Sequence, residues 1–352
     1  MNPAEAVAPL RVRMDIEDGE IAAFVMAHPE GTPFHLPAWL RAIETGTGQC
    51  AHWLTAMRGG RIEGVLPLTE MRSILFGRAL VSSGFAVGGG VLAANEAAAE
   101  ALTAEAWKLA EQRHCPSLEL RGGPLPEGEG WQHKTEAYAG FVRPLAADDA
   151  AELTAIPRKQ RAEVRKALDA GMTVATGRSA TDRAAHYAVY AESVRNLGTP
   201  VFPRALFAAV LDRFGEDADI LTVSHEGVAV ASVLSLYHRG VVMPYWGGGT
   251  WGARALRANE LMYFALMRHA RERGCTAFDF GRSKPGTGAF AYKKNWGFEP
   301  RPLAYGVRTA GGAAPREVNP LSPRYRMQIA AWRKLPLWLA NRLGPPLARG
   351  LG

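Results

Sequence analysis

Two runs rich in Val, Leu and Ser, 219–224 and 228–237, flank His225-Glu226-Gly227, a polar break with a turn glycine. This pattern reads as a β-hairpin. Around it, the spacing of apolar positions predicts a strand at 172–176, helices at 181–196 and 203–214, a strand at 240–246, a helix at 257–273 and a strand at 276–280. Asn259 stands where an N-cap of the last helix is expected, and Gly274 stands where that helix would stop. The same order recurs in the first half of the chain: a strand, two helices, three strands, a helix and a strand. Thr32-Pro33 corresponds to Thr199-Pro200, and the same displacement carries Leu54-Thr55 onto Leu221-Thr222 and Gly60 onto Gly227. Asn95-Glu96 and Asn259-Glu260 each open a helix that runs to a cysteine, Cys115 or Cys275. A short apolar strand with one acid, Glu119 or Asp279, follows each time. Matched residue pairs arise by chance, whereas shared order and spacing do not. The expectation is therefore a duplicated α/β unit with a mixed sheet, divided as 1–150, 151–310 and a tail at 311–352.

The second half closes on TGAFAYKKNWGF, residues 287–298. A short helix carrying Phe290, Tyr292 and Trp296 would end at Gly297, and Phe298 would begin a strand. The first half has no counterpart, because Gly122-Gly123-Pro124 leads into a loop rich in Pro, Gly and Glu. The second half is thus expected to be the working one, and the first a decayed or acceptor-holding partner.

Composition narrows the function classes. A chain of 352 residues is long enough for two cores, and 47% apolar with 21% charged residues is an ordinary globular mix. No run of apolar residues is long enough to span a bilayer, and Met1–Leu10 lacks the basic-then-apolar pattern of a secretory leader, so a cytoplasmic location is expected. Three scattered cysteines and nine histidines without HExxH spacing give no support to a metal site. The net charge of +7 suggests polyanionic partners such as phosphorylated donors, RNA or anionic lipid headgroups.

Phe278–Pro300, FDFGRSKPGTGAFAYKKNWGFEP, resembles the FemAB-like proteins associated with exosortase (PEP-CTERM) and exopolysaccharide gene clusters. Asn196-Leu197-Gly198-Thr199-Pro200, Pro244-Tyr245-Trp246-Gly247-Gly248 and Leu343-Gly344-Pro345 are similar to that group as well, so the resemblance covers nearly the whole chain. It implies tandem acetyltransferase-type (GNAT) domains and transfer of an acyl or aminoacyl group to an amine. The wider family includes enzymes that add amino acids to peptidoglycan precursors from aminoacyl-tRNA. The implied acceptor is an amine-bearing cell-envelope or polysaccharide precursor, and the implied donor is aminoacyl-tRNA or acyl-CoA, with no permanently bound cofactor. An acetyl-CoA-dependent enzyme acting on an amino sugar or small amine, and a non-catalytic binding module, are the rival readings.

Simple acetyltransferases hold the coenzyme A pyrophosphate on backbone amides of a Gln/Arg-x-x-Gly-x-Gly/Ala loop at a helix N-terminus. The matching stretch here is Arg254-Ala255-Leu256-Arg257-Ala258-Asn259. Arg257 and Asn259 fill both glycine positions, which counts against acetyl-CoA and for a charged tRNA. Lys284, Tyr292 and Asp279 are the catalytic candidates. Lys284 follows a strand, where ligand sites of α/β sheets lie, and Tyr292 is either a proton donor to the leaving group or core packing. Asp279 either accepts a proton or makes a structural hydrogen bond. Arg282 and Lys293 add positive charge for phosphates or an oxyanion, or Lys293, with Lys294, belongs to a solvated helix face. Tyr245 and Trp246 are an aromatic wall or core, Asn196 and Thr199 a binding loop or a helix cap, and Asn259 part of the phosphate loop. Arg158, Arg161 and Arg165 share a helix face suited to an anionic ligand, or to solvent. The tail mixes Trp332, Leu335, Trp338, Leu339 and Leu343 with Arg326, Arg333, Lys334 and Arg342, a composition suited to peripheral membrane contact, and Pro336 interrupts any long helix there.

Overall fold

The two hairpin turns aligned by the repeat are built alike. Gly59 and Gly60 take φ of +56° and +80°, and Glu226 and Gly227 take +50° and +79°. Positive φ at both central residues is the mirror-image turn whose twist suits the strands it joins. In the computed structural model, which describes residues 8–73, 77–311 and 323–351, this likeness extends to whole units.

The first half runs β1 (Arg11–Arg13), α1 (Asp18–Ala27), α2 (Pro37–Thr47), β2 (Cys50–Arg58), β3 (Arg61–Ser73), β4 (Gly77–Ser82), β5 (Leu92–Ala93), α3 (Glu96–Gln112) and β6 (Ser117–Arg121). After β7 (Trp131–Pro144), α4 (Asp149–Ala155) and α5 (Arg158–Leu168), the order repeats as β8 (Thr173–Gly177), α6 (Ala180–Leu197), α7 (Arg204–Phe214), β9 (Ala218–His225), β10 (Val228–His238), β11 (Val241–Gly249), α8 (Ala253–Leu256), α9 (Ala258–Glu272) and β12 (Ala277–Ser283). The chain ends with α10 (Gly288–Asn295), β13 (Pro300–Thr309), α11 (Pro323–Arg333) and α12 (Leu337–Ala348).

Two compact units result. One comprises residues 1–135, 304–317 and 349–352, and the other 136–303 and 318–348. In the first, the sheet runs β1-β2-β3-β4-β6, antiparallel except for the parallel pair β4–β6, and Tyr305–Thr309 of β13 pairs antiparallel with β6. In the second, the sheet runs β8-β9-β10-β11-β12, again with one parallel pair, β11–β12, and Ala139–Pro144 of β7 pairs antiparallel with β12. The sixth strand of each sheet thus comes from the segment that follows the other unit's core. Leu54, Leu66, Leu80, Leu102 and Leu118 fill the first core. Phe141, Met262, Phe264, Phe278, Phe280, Trp296 and Phe298 fill the second.

The predicted mixed α/β fold and the element order are present. Even the helix ends agree: the backbone N–H of Cys115 bonds to Ala110 O, and that of Cys275 to Ala270 O, each closing the helix before a short strand. Two details differ. Asn259 is not the cap of α9, because Arg257 occupies that place and Asn259 lies inside the first turn; in the first unit Asn95 does cap α3, its side chain accepting from Ala98 N at 2.9 Å. Phe298 does not begin a strand: it is spent on the core beside Phe278 and Phe280, and β13 starts at Pro300. The run Gly247-Gly248-Gly249 has a packing cause, since a Cβ at Gly248 would lie 2.1 Å from Ser193 Oγ on α6. Among the described residues, no helix is long and apolar enough to cross a membrane.

The two asparagines give a direct check on the repeat. Asn95→Ala is expected to destabilise the protein by about 1 kcal/mol through the lost cap. Asn259→Ala, which removes no cap, should cost less than half of that in the same urea-unfolding measurement.

Candidate active site

Parallel strands β11 and β12 pair only at Val241–Ala277 and Val242–Phe278. Beyond those positions β11 continues against β10 to Gly249, while β12 continues against β7. The two strands therefore part beyond Val242 and Phe278. The β12–β7 ladder is itself irregular between Asp279 and Arg282, where Gly281 takes φ of +67°. A bulge of this kind re-aims side chains next to a site.

Three candidates meet at this irregularity. Asp279 accepts the Gly281 N–H through Oδ1 at 2.8 Å. From α10, Lys293 donates its Nζ to the Arg282 carbonyl at 2.9 Å and lies over the rings of Phe141 and Phe280, 5.3 and 5.7 Å from their centroids. Burial pushes the Lys293 ammonium down to about 8; the Asp279 charge opposes the shift and Arg282 adds to it. Burial also pushes the Asp279 carboxyl up, against the Gly281 N–H and the Lys293 charge. The Arg282 guanidinium stacks over Tyr138 at 4.6 Å. Lys293 and Asp279 thus influence each other's charge, and each is held from its ordinary pKa mainly by lost solvation.

Tyr292 belongs to a neighbouring group. Its hydroxyl donates to Glu260 Oε1 at 3.4 Å, and Gln160 Nε2 donates to the same oxygen at 3.5 Å. Burial pushes the Glu260 carboxyl up and the Tyr292 phenol well up. The Tyr292 ring packs among Tyr263, Phe280 and Trp296. Lys284 is half-buried in the turn between β12 and α10, where its carbonyl accepts from the Thr287 hydroxyl at 2.7 Å. Thr287 in turn caps α10, accepting from Phe290 N at 3.3 Å, so Gly286-Thr287-Gly288 serves as a helix start.

At the phosphate-loop position, Arg257 keeps the left-handed backbone that glycine would take, with φ +56° and ψ 37°. Its guanidinium is ion-paired with Glu163 of α5. Asn259 Oδ1 is buried without a hydrogen-bond partner, and it sits close enough to Gly249 that a Cβ there would be 2.8 Å away. On α5, Arg161 is committed to the carbonyls of Thr154 and Ile156, whereas Arg158 and Arg165 are exposed. Trp246 is buried against Phe207 at 5.0 Å, so it is core; Tyr245 is half-buried with its ring edge-on to Trp246. Thr199 closes α6 through its N–H to Val194 O, with Asn196 in the last turn, as a cap requires. Among the described residues no group of three or more His, Cys, Asp or Glu is placed to hold a metal ion.

Glu260 and Gln160 were not among the candidates drawn from the sequence. Gln160 left a signal: it occupies an apolar position of its helix, in step with Val164 and Ala167, all three being buried. Glu260 looked like an ordinary first-turn acid, which is where helices favour carboxylates anyway.

Residues 156–294 match the acetyltransferase (GNAT) domain family, a span that includes both the Arg257 loop and Lys293. No curated protein matches the sequence. The fold is similar to that of FemX, at 18% identity and a TM-score of 0.65 over 84% of this chain and 96% of that one. It is also similar to the C-terminal domain of a putative lysylphosphatidylglycerol synthetase from Agrobacterium fabrum (11% identity, TM-score 0.55, 83% and 91% covered). A tandem GNAT protein from the clavulanic acid biosynthesis pathway gives 16% identity and a TM-score of 0.53 over 87% of this chain and 100% of that one. The chain therefore has the tandem GNAT fold.

The loop carries its own test. A non-glycine residue in the left-handed region costs about 1 kcal/mol. Arg257→Gly is therefore expected to be more stable than Arg257→Ala by about that amount, although both lose the Glu163 pair, as urea unfolding would show.

Proposed function

We propose that the protein is an N-acyltransferase that moves an acyl or aminoacyl group from an activated, anionic donor to an amine, with its reaction centre at the bulge of β12. The observation that carries this reading is that the half-buried Lys293 and Asp279, each displaced from its ordinary pKa, come together at the bulge beside the point where β11 and β12 part. Asp279, a stronger base than an exposed carboxylate, takes the proton that the attacking amine must lose. The amine nitrogen then bonds to the donor carbonyl, and the Lys293 ammonium stabilises the oxyanion that develops there. Collapse breaks the bond to the leaving oxygen or sulfur, which receives the proton from Asp279. Tyr292 is assigned to holding α10 against Glu260 of α9, since a phenol with so high a pKa gives up its proton poorly. In this reading Lys284 and Arg282 meet the donor's phosphates, with the exposed Arg158 and Arg165.

The donor in this reading is aminoacyl-tRNA, supported by the loss of both loop glycines. The acceptor is an amine-bearing cell-envelope or exopolysaccharide precursor, the class implied by the resemblance to exosortase-associated FemAB-like proteins. One observation keeps an acetyl-CoA enzyme as the second reading: Arg257 retains the turn of a phosphate loop.

Titration with charged tRNA and, separately, with acetyl-CoA distinguishes the two. Saturable binding of charged tRNA alone is expected, with transfer to an amine acceptor. Tight acetyl-CoA binding alone would move the second reading forward, and binding of neither would sink both. Lys293→Ala should cost about 100-fold in kcat with the fold intact, whereas Lys284→Ala should raise the donor Kd and spare kcat.

The pH dependence has a fixed sign. The active form carries a charged Lys293, so activity should fall as pH rises through about 8. Asp279 raises the Lys293 pKa, so any residual activity of Asp279→Asn should fall at a lower pH. A pH–rate profile flat to pH 10 would exclude Lys293 from the reaction centre.

A further inference from the structure

The positive charge of this protein is concentrated at one end. Past Glu317 the chain carries Arg324, Arg326, Arg333, Lys334, Arg342 and Arg349 and not one acid, which accounts for six of its seven net charges and leaves the preceding 317 residues at +1. The notion of a generally basic protein gives way to a neutral one with a basic tail.

The two helices of that tail, α11 and α12, are folded onto the second unit. Ile329 of α11 lies against Gly198 at the end of α6, and the Arg333 guanidinium donates to the Leu197 carbonyl at 3.3 Å. Along α12 the small residues Ala340, Gly344 and Ala348 recur every fourth position and are buried, with Gly344 against Val201. Trp338, Arg342 and Leu343 project away from that stripe. Trp338 is 68% exposed, Leu343 42% and Met327 of α11 73%, and Lys334 and Arg342 are exposed as well. The side chains of residues 323–326, Arg326 included, lie outside those described.

We propose that the α11–α12 surface docks on an anionic lipid bilayer. Large apolar side chains left in water beside cations gain little from an RNA backbone, which offers charge and no apolar phase. A bilayer surface offers both: phosphates for Lys334 and Arg342, and an interfacial layer for Trp338, Leu343 and Met327. The helices lie along the surface, since neither is long and apolar enough to cross it. This docking is independent of the chemistry assigned to the β12 bulge.

Sedimentation of the full-length protein with vesicles of phosphatidylcholine, with and without added phosphatidylglycerol, tests it. Binding to the anionic vesicles should exceed binding to the neutral ones by at least about tenfold and weaken as salt is raised. The double variant Lys334→Glu/Arg342→Glu should lose at least about tenfold of that binding. Trp338→Ala/Leu343→Ala should lose severalfold at unchanged charge, and both variants should keep the wild-type circular dichroism and Tm. No sedimentation with anionic vesicles, or sedimentation indifferent to both variants, would overturn the proposal. So would tail-dependent binding of an RNA duplex without binding to vesicles, which would make the surface a nucleic-acid contact.

Discussion

In the second unit the parallel strands β11 and β12 stay paired for only two residue positions, and the proposed chemistry is set where they part. A parallel pair left to itself would continue its ladder, because unpaired backbone groups inside a fold are costly. Past that point each keeps only its other neighbour: β11 stays paired with β10, and β12 with β7. Past Val242 and Phe278 the edges that these two strands turn toward each other are no longer paired with one another. The bulge at Gly281 follows directly on that point along β12, α10 brings Lys293 to the Arg282 carbonyl there, and lost solvation displaces the pKa values of Lys293 and Asp279.

The first unit shows what the same frame looks like without this arrangement. Its parallel strands β4 and β6 also pair at only two positions, Leu80–Leu118 and Val81–Glu119. Yet β6 is regular against β13, and Glu119, the counterpart of Asp279, is held at 2.7 Å by Arg121 two residues along its own strand. Where one unit has a glycine that kinks the strand, the other has an arginine that neutralises the acid. No helix follows β6 to bring in a lysine. The two units share a fold and differ in how the acid at this place is held, Asp279 by a backbone N–H and Glu119 by an arginine side chain.

Most of the frame was legible in the sequence, because it depends on patterns that the sequence displays: alternating apolar runs, turn residues and a repeat in register. The site was legible in part. Asp279, Arg282 and Lys293 stood within one quoted segment, and the structure brings them together. Tyr292 stood there too but points into a group with Glu260 and Gln160, which come from 32 and 132 positions away along the chain. Spacing cannot reveal such a meeting, since it depends on how α5, α9 and α10 pack. The loop at Arg257 shows the opposite case. Reading residue types suggested that a glycine turn had been lost, while the backbone keeps the turn and bears the strain.

The provenance of each sheet's sixth strand bears on how the chain is made. During synthesis the first five strands of the amino-terminal sheet emerge early, but the segment that pairs with β6, Tyr305–Thr309, leaves the ribosome only after nearly the whole second unit has been produced. Until then β6 is an open edge, the kind of surface on which nascent chains stick to one another. A gene cut near residue 150 would leave its product with that edge permanently bare, and a fragment beginning there would lack the β7 strand that flanks β12. The duplicated halves of this protein look separable on paper, yet neither can reach its mature form in isolation.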